Sequence, residues 1–192
     1  MGSGTKKLLD LLEQKKATIV EAWIDRIHHT YPEETANFLD EEKNQFANPI
    51  GASIKQSVWP LYDEIISGHD SDNLYKCLDY LIRVRAVQEF TPTAAVAVVS
   101  FLKDIVREEL LETIVEQELY EEYLALESRI DNAIMAAFDI YMRCRERVWQ
   151  IRHNDITQRP FILSGGMCAS YMARRGKKHL EKMKCGKNPS LN

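Results

Sequence analysis

Residues 119–151 read LYEEYLALESRIDNAIMAAFDIYMRCRERVWQI. Starting from Leu119, apolar residues fall at Tyr123, Leu126, Ile130, Ala133, Ala137, Ile140 and Cys144, in alternating steps of four and three. A repeat averaging 3.5 residues keeps one stripe of a helix turned toward a neighbour, so the spacing predicts a heptad helix over 115–153. Ala133 and Ala137 are small enough for close approach, and Val148 and Ile151 continue the stripe after a one-residue slip. The repeat suits packing inside a bundle as well as packing across a dimer. Those seven residues from Tyr123 to Cys144 are the candidate dimer or partner surface.

Upstream, the same period recurs. Leu8, Leu9, Leu12, Ile19, Val20, Trp23, Ile24 and Ile27 predict one amphipathic helix over 6–29, broken by Tyr31-Pro32, with a short acidic helix around Glu33–Glu42 after it. Asn48-Pro49 is a helix start, because Asn can accept from a free N–H and Pro suits the first helical position. The helix from Ile50 to Ile66 carries Pro60, which is expected to kink or split it, and Gly68 ends it. Asp70-Ser71-Asp72 can cap a following helix whose face is Leu74, Cys77, Leu78, Leu81 and Ile82. Phe90-Thr91-Pro92 repeats the cap-then-proline device, with Phe90 placed to staple onto a helix running from about Thr93 to Leu111. Ala94–Val99 is β-branched enough to suggest a strand, but Leu102, Ile105 and Val106 extend the helical period and decide for helix. An all-α bundle follows, in which residues 6–113 form the body and 115–153 the long heptad helix. Residues 154–192 form a basic, partly flexible extension after Arg159-Pro160 and the Gly165-Gly166 pair.

The 45% hydrophobic and 28% charged composition, with eight Gly and six Pro in 192 residues, belongs to a folded globular chain. No uncharged apolar run reaches the roughly 18 residues a spanning helix needs, and a cytoplasmic location is expected. Met1-Gly2-Ser3-Gly4-Thr5-Lys6 fails as a myristoylation signal because Lys6 stands where Ser or Thr is required. The four cysteines lack C-x-x-C spacing, so reduced thiols are expected, with Cys77 and Cys144 on apolar faces. The net charge of −4 hides an asymmetry: residues 143–192 carry 12 Lys/Arg against 3 Asp/Glu, and residues 1–142 carry 13 against 26.

Catalysis has no foothold in this sequence. Glu33/Glu34 and Asp40/Glu41/Glu42 lie in an acidic segment without a positioned nucleophile, and there is no phosphate-cradling glycine loop, G-x-S-x-G or H-E-x-x-H. Adjacent His28 and His29 point about 100° apart on a helix, cannot jointly grip a metal ion from one face, and are expected at the surface or facing a partner. Cys168, His179 and Cys185 match no compact zinc spacing, so neither metal nor cofactor is expected. Arg174, Arg175, Lys177, Lys178, Lys182 and Lys184 form a basic tail that reads as a solubilising end, as one folded back on the acidic body, or as a contact for an acidic protein partner. Nucleic acid is the weaker reading, given the acidic body and the lack of interleaved aromatics. Of Arg83 and Arg85, two apart, at most one can face the core, where a carboxylate partner is expected.

Three motifs in order carry a resemblance: Leu11-Leu12-Glu13 through Trp23 to Tyr31-Pro32; Phe46-Ala47-Asn48-Pro49-Ile50-Gly51; and Arg83-Val84-Arg85-Ala86-Val87-Gln88-Glu89-Phe90-Thr91-Pro92 through Arg107-Glu108-Glu109-Leu110. Together, over roughly residues 6–145, they resemble the RsbRD N-terminal domain family, the sensor domains of RsbR-type stressosome regulators. The resemblance implies a globin-like, haem-free helical fold, dimers, and signalling to a C-terminal STAS domain. Too few residues follow the heptad helix here for a STAS domain or kinase, so a regulatory partner is expected in trans. The family supplies no catalytic residues.

The expected function is therefore a non-enzymatic signalling sensor or adaptor, homodimeric and acting through protein contacts. One alternative is a haem- or small-molecule-binding globin-like sensor, although no His lies between Asn73 and Gln150 to ligate haem. A second alternative is a basic-tailed nucleic-acid-binding regulator.

Overall fold

The computed structural model describes residues 3–41, 44, 46–68, 71–88 and 90–165. Among them are seven α-helices and no strand: α1 (Ser3–Gln14), α2 (Lys16–His28), α3 (Glu33–Glu41), α4 (Pro49–Ser67), α5 (Ser71–Val87), α6 (Pro92–Glu116) and α7 (Tyr120–Gly165). Among the described residues, those up to Glu146 form one compact unit and those from Arg147 onward a second. In the second unit, Trp149 stacks on His153 one turn along, with ring centroids 5.1 Å apart. The basic tail lies outside the described residues.

The caps form as their residue types dictate. Asn48 Oδ1 accepts from the Gly51 N–H at 2.8 Å with Pro49 in the first turn, and Thr91 Oγ1 accepts from the Ala94 N–H at 3.2 Å with Pro92 in the same place. Asn48 also donates from Nδ2 to the Leu39 carbonyl at 3.1 Å, fastening the end of α3 to the start of α4. A Cβ at 51 would lie 2.4 Å from Asn48 Nδ2, so a larger residue there would displace the capping side chain. Gly68 closes α4 at φ +65, and Arg129 Nη1 from α7 donates to the Ile66 carbonyl in the last turn.

Four element readings need correction. The helix expected over 6–29 is two helices, α1 and α2, interrupted at Lys15. The Leu12 carbonyl, which the Lys16 N–H would take in an unbroken helix, accepts from the Tyr62 hydroxyl at 3.0 Å. Pro60 does not split α4, which runs unbroken through it. The third, α6, extends past Leu111 to Glu116 and ends in a Schellman turn: Glu118 N–H donates to Val115 O at 3.3 Å and Leu119 N–H to Ile114 O at 2.9 Å, with Glu118 held at φ +56. Finally, α7 begins at Tyr120 and continues through Pro160 to Gly165, beyond the expected limit of 153.

In the first unit α4 packs on α5, and α2 packs on both α4 and α6. One apolar core joins them. It takes Trp23, Val58, Leu61, Leu78, Ile82, Val98, Val99, Leu102 and Val106, together with the inner face of α7. Burying such side chains supplies the main stabilisation, at about 25 cal/mol per Å² of apolar surface. Trp23 is fully buried, and its indole N–H donates to the Val98 carbonyl at 2.6 Å, so the ring's one polar atom is satisfied while it joins α2 to α6. No helix is long and apolar enough to cross a membrane among the described residues.

Candidate functional site

The end of α5 carries the one buried arginine among the described residues. Leu78, Leu81, Ile82 and Arg85 share a face at helical spacing, so the period that buries the apolar residues also buries Arg85, which is 1% exposed. Arg83 points outward and pairs with Asp79 at 2.6 Å.

No carboxylate among the described residues pairs with Arg85. Its Nη2 donates to Thr30 Oγ1 at 2.9 Å and to the Ala94 carbonyl at 3.1 Å, bridging the residues after α2 to the first turn of α6. The guanidinium carbon lies 3.9 Å from the Phe90 ring centre and 5.4 Å from that of Tyr31. Tyr31 and Phe90 meet edge to face at 5.2 Å, so the two rings and the cation form one cluster. The Tyr31 hydroxyl donates to Gln88 Oε1 at 2.9 Å. Burial raises the Tyr31 pKa, while Arg85 pulls it the other way. Burial lowers that of Arg85, with Tyr31 opposing, but a guanidinium starts far enough above neutrality to stay charged.

The arginine is only partly satisfied. Nε and Nη1 are buried and find no acceptor among the described residues, leaving three of five N–H bonds unused there. Tyr31, Ile54, Leu81, Val84 and Arg85, with Ser53 and Tyr80, line a small recess, partly open to solvent, with room for about one water molecule. The Ser53 and Tyr80 hydroxyls are hydrogen-bonded at 3.0 Å. Two of the three sequence motifs, those ending at Tyr31-Pro32 and spanning Arg83–Pro92, thus converge on one cation.

The heptad seam faces inward. Leu126, Ile130, Ala133, Ala137 and Ile140 are at most 2% exposed, Tyr123 is buried, and the half-buried Cys144 packs against the same core. A second apolar stripe that the sequence reading missed runs along the other side of α7: Tyr120, Leu124, Met135, Phe138 and Met142 are all exposed. At 100° per residue these five fall within about 60° of one another and roughly opposite Leu126 and Ala133. Its signal was present in the sequence at steps of three, four and eleven, interrupted by Ser128 and Asp131.

His28 corrects another expectation. It is fully buried, four residues after Ile24 on the apolar face of α2, and its Nδ1 is hydrogen-bonded to the Asp40 carboxylate while Nε2 has no partner. His29 is exposed, donating from Nδ1 to the Asp25 carbonyl at 2.8 Å. Asp25, His29 and Asp40 each place one ligand atom within 4.8 Å of the others, all three being exposed. Cys77 is half-buried, and burial, with Glu64 nearby, raises its thiol pKa, which suits packing over reactivity. The candidates Cys168, His179 and Cys185 lie outside the described residues.

No curated protein and no solved structure matched the chain. The family model of the RsbT co-antagonist protein rsbRD N-terminal domain matches residues 17–156, a span that takes in Tyr31, the Asn48 cap, Arg85, Phe90 and the whole heptad seam. With nearly three quarters of its length matched, the chain belongs to the RsbT co-antagonist protein rsbRD N-terminal domain family.

Proposed function

We propose that this protein is a non-enzymatic, cytoplasmic sensor or adaptor module of the stressosome type, acting as a homodimer and on a regulatory protein partner. The family supports the class of activity. One observation supports the mode of action: α7 is apolar on two opposite faces. The inner face, Tyr123 to Cys144, is occupied by the chain's own core, so the outer face of Tyr120, Leu124, Met135, Phe138 and Met142 is the surface that assembles. Exposed apolar side chains grouped on one face of a helix mark a contact surface, and a second chain supplies the contact.

The test is light scattering combined with a tagged pull-down from native extract. The wild-type chain should have twice the monomer mass and recover a regulatory protein, and Met135→Asp with Phe138→Asp should give a folded monomer that recovers none. A wild-type monomer would overturn the homodimer, and equal recovery by both proteins would overturn the outer-face assignment.

A further inference from the structure

We propose that Asp25, His29 and Asp40 bind a borderline divalent transition-metal cation, with zinc as the model ion, between α2 and α3. Each of the three brings one ligand atom to within 4.8 Å of the others, and all three are exposed. Asp25 and His29 lie one turn apart on the same face of α2, and Asp40 reaches them from α3. The His29 ring donates from Nδ1 to the Asp25 carbonyl at 2.8 Å, so its other nitrogen keeps a lone pair, as in the ring of a metal-bound histidine. Among the described residues neither aspartate pairs with a lysine or arginine; their ion-pair partners are His29 and His28. Two carboxylates thus converge with no permanent cation between them. The sequence leads to no expectation of a metal because His28 and His29 cannot share one, and here aspartates supply the ligands that a second histidine cannot.

A separate observation singles out Asp40. His28 is fully buried at a position where the period of α2 calls for an apolar side chain, and its Nε2 is buried without a partner among the described residues. Leaving that atom unsatisfied is destabilising, whereas an isoleucine or leucine there would carry no such penalty. What the imidazole contributes is its Nδ1 edge, which is aimed at the cluster and donates to the Asp40 carboxylate. A carboxylate so held still has lone pairs for a metal, and hydrogen bonds from behind are what orient ligating carboxylates. The adjacent Leu39 carbonyl accepts from Asn48 Nδ2 at 3.1 Å, which fixes the same end of α3 to α4. One imidazole nitrogen with two carboxylate oxygens suits zinc or a similar ion better than magnesium or calcium, which prefer oxygen alone. Three protein ligands on an exposed face leave further coordination positions to water. Binding at this site does not depend on the protein being a sensor.

Zinc chloride titrated into the full chain, followed at the His29 ring resonances by NMR, tests the site. The readout is at one residue because Cys168, His179 and Cys185 are zinc-ligand types themselves. The His29 signals should move and saturate, with Kd on the order of 1–100 μM. Asp25→Asn and Asp40→Asn, both at exposed positions, should weaken binding by about tenfold or more in a folded chain. His28→Phe keeps its position apolar, removes the hold on Asp40 and should weaken binding by a similar factor; the aspartate variants decide the matter if it does not fold. Magnesium chloride at the same concentration should leave the signals where they are. His29 signals unmoved by excess zinc, a zinc affinity unchanged in any folded variant of the three, or magnesium binding as tight as zinc would refute the proposal.

Discussion

The Arg85 guanidinium lies 3.9 Å from the centre of the Phe90 ring, fixing the end of α5 to the residue just before the Thr91 cap of α6. The aromatic face replaces part of the hydration that the buried cation has lost, and the Tyr141 hydroxyl holds the same residue by donating to the Phe90 carbonyl at 2.7 Å. Phe90→Leu keeps apolar volume and removes the ring's electron-rich face. A loss of about 1–2 kcal/mol is expected from urea denaturation with an unchanged slope. Wild-type stability in the variant would mean that the ring merely fills space.

Ile130 and Met135 sit on opposite sides of α7, with exposures of 1% and 65%. Ile130→Asp places a charge in the core and should cost at least about 4 kcal/mol, seen as loss of the cooperative thermal transition in circular dichroism. Met135→Asp should change stability by less than about 0.5 kcal/mol in the isolated unit. A folded Ile130→Asp protein would show that the seam is not the core described here.

Glu118 occupies the left-handed position of the Schellman turn at φ +56, which glycine adopts without a Cβ penalty. Glu118→Gly should therefore stabilise the protein by about 0.5–1 kcal/mol, and Glu118→Val should destabilise it by a similar amount. Chemical denaturation of both variants checks the pair, and the signs must be opposite.

The pKa of His29 is raised, first by its hydrogen bond to the Asp25 carbonyl and then by the Asp25 carboxylate. A group whose folded pKa lies above its unfolded value of 6.5 stabilises the fold fully below that value, and the contribution disappears as pH rises through the folded pKa. His29→Gln should accordingly be less stable than wild type at pH 6 and match it at pH 8. Denaturation at the two pH values reads the difference, and a gap that widened with pH would reverse the assignment.

Burial holds the Cys77 thiol protonated at neutral pH. Iodoacetamide should modify it several-fold more slowly than a model peptide thiol, as followed by peptide mass mapping. Rapid modification would restore the possibility of a redox-sensing role.

Sequence alone determined the elements whose causes are local. The Asn48-Pro49 and Thr91-Pro92 starts, the Gly68 stop and the stripes of α5, α6 and α7 follow from caps and from three- and four-residue spacing, which depend on neighbours within a turn or so. The same spacing places Arg85 with Leu78 and Ile82, and His28 with Ile24, although their polar character argued for the surface in the case of His28.

Tertiary structure alone decided what each stripe meets. Periodicity states that one side of α7 is apolar without saying whether the chain itself or another chain covers it, and here the chain's own helices cover Tyr123 to Cys144 while Leu124, Met135 and Phe138 remain outside. At the interruption near Lys15 the Leu12 carbonyl is taken by Tyr62, fifty residues away, and the partners of Arg85 come from Thr30, Phe90 and Ala94 instead of a carboxylate. Such contacts arise between segments distant in the chain, where no spacing rule applies, because packing selects among all the faces that helical periodicity makes available.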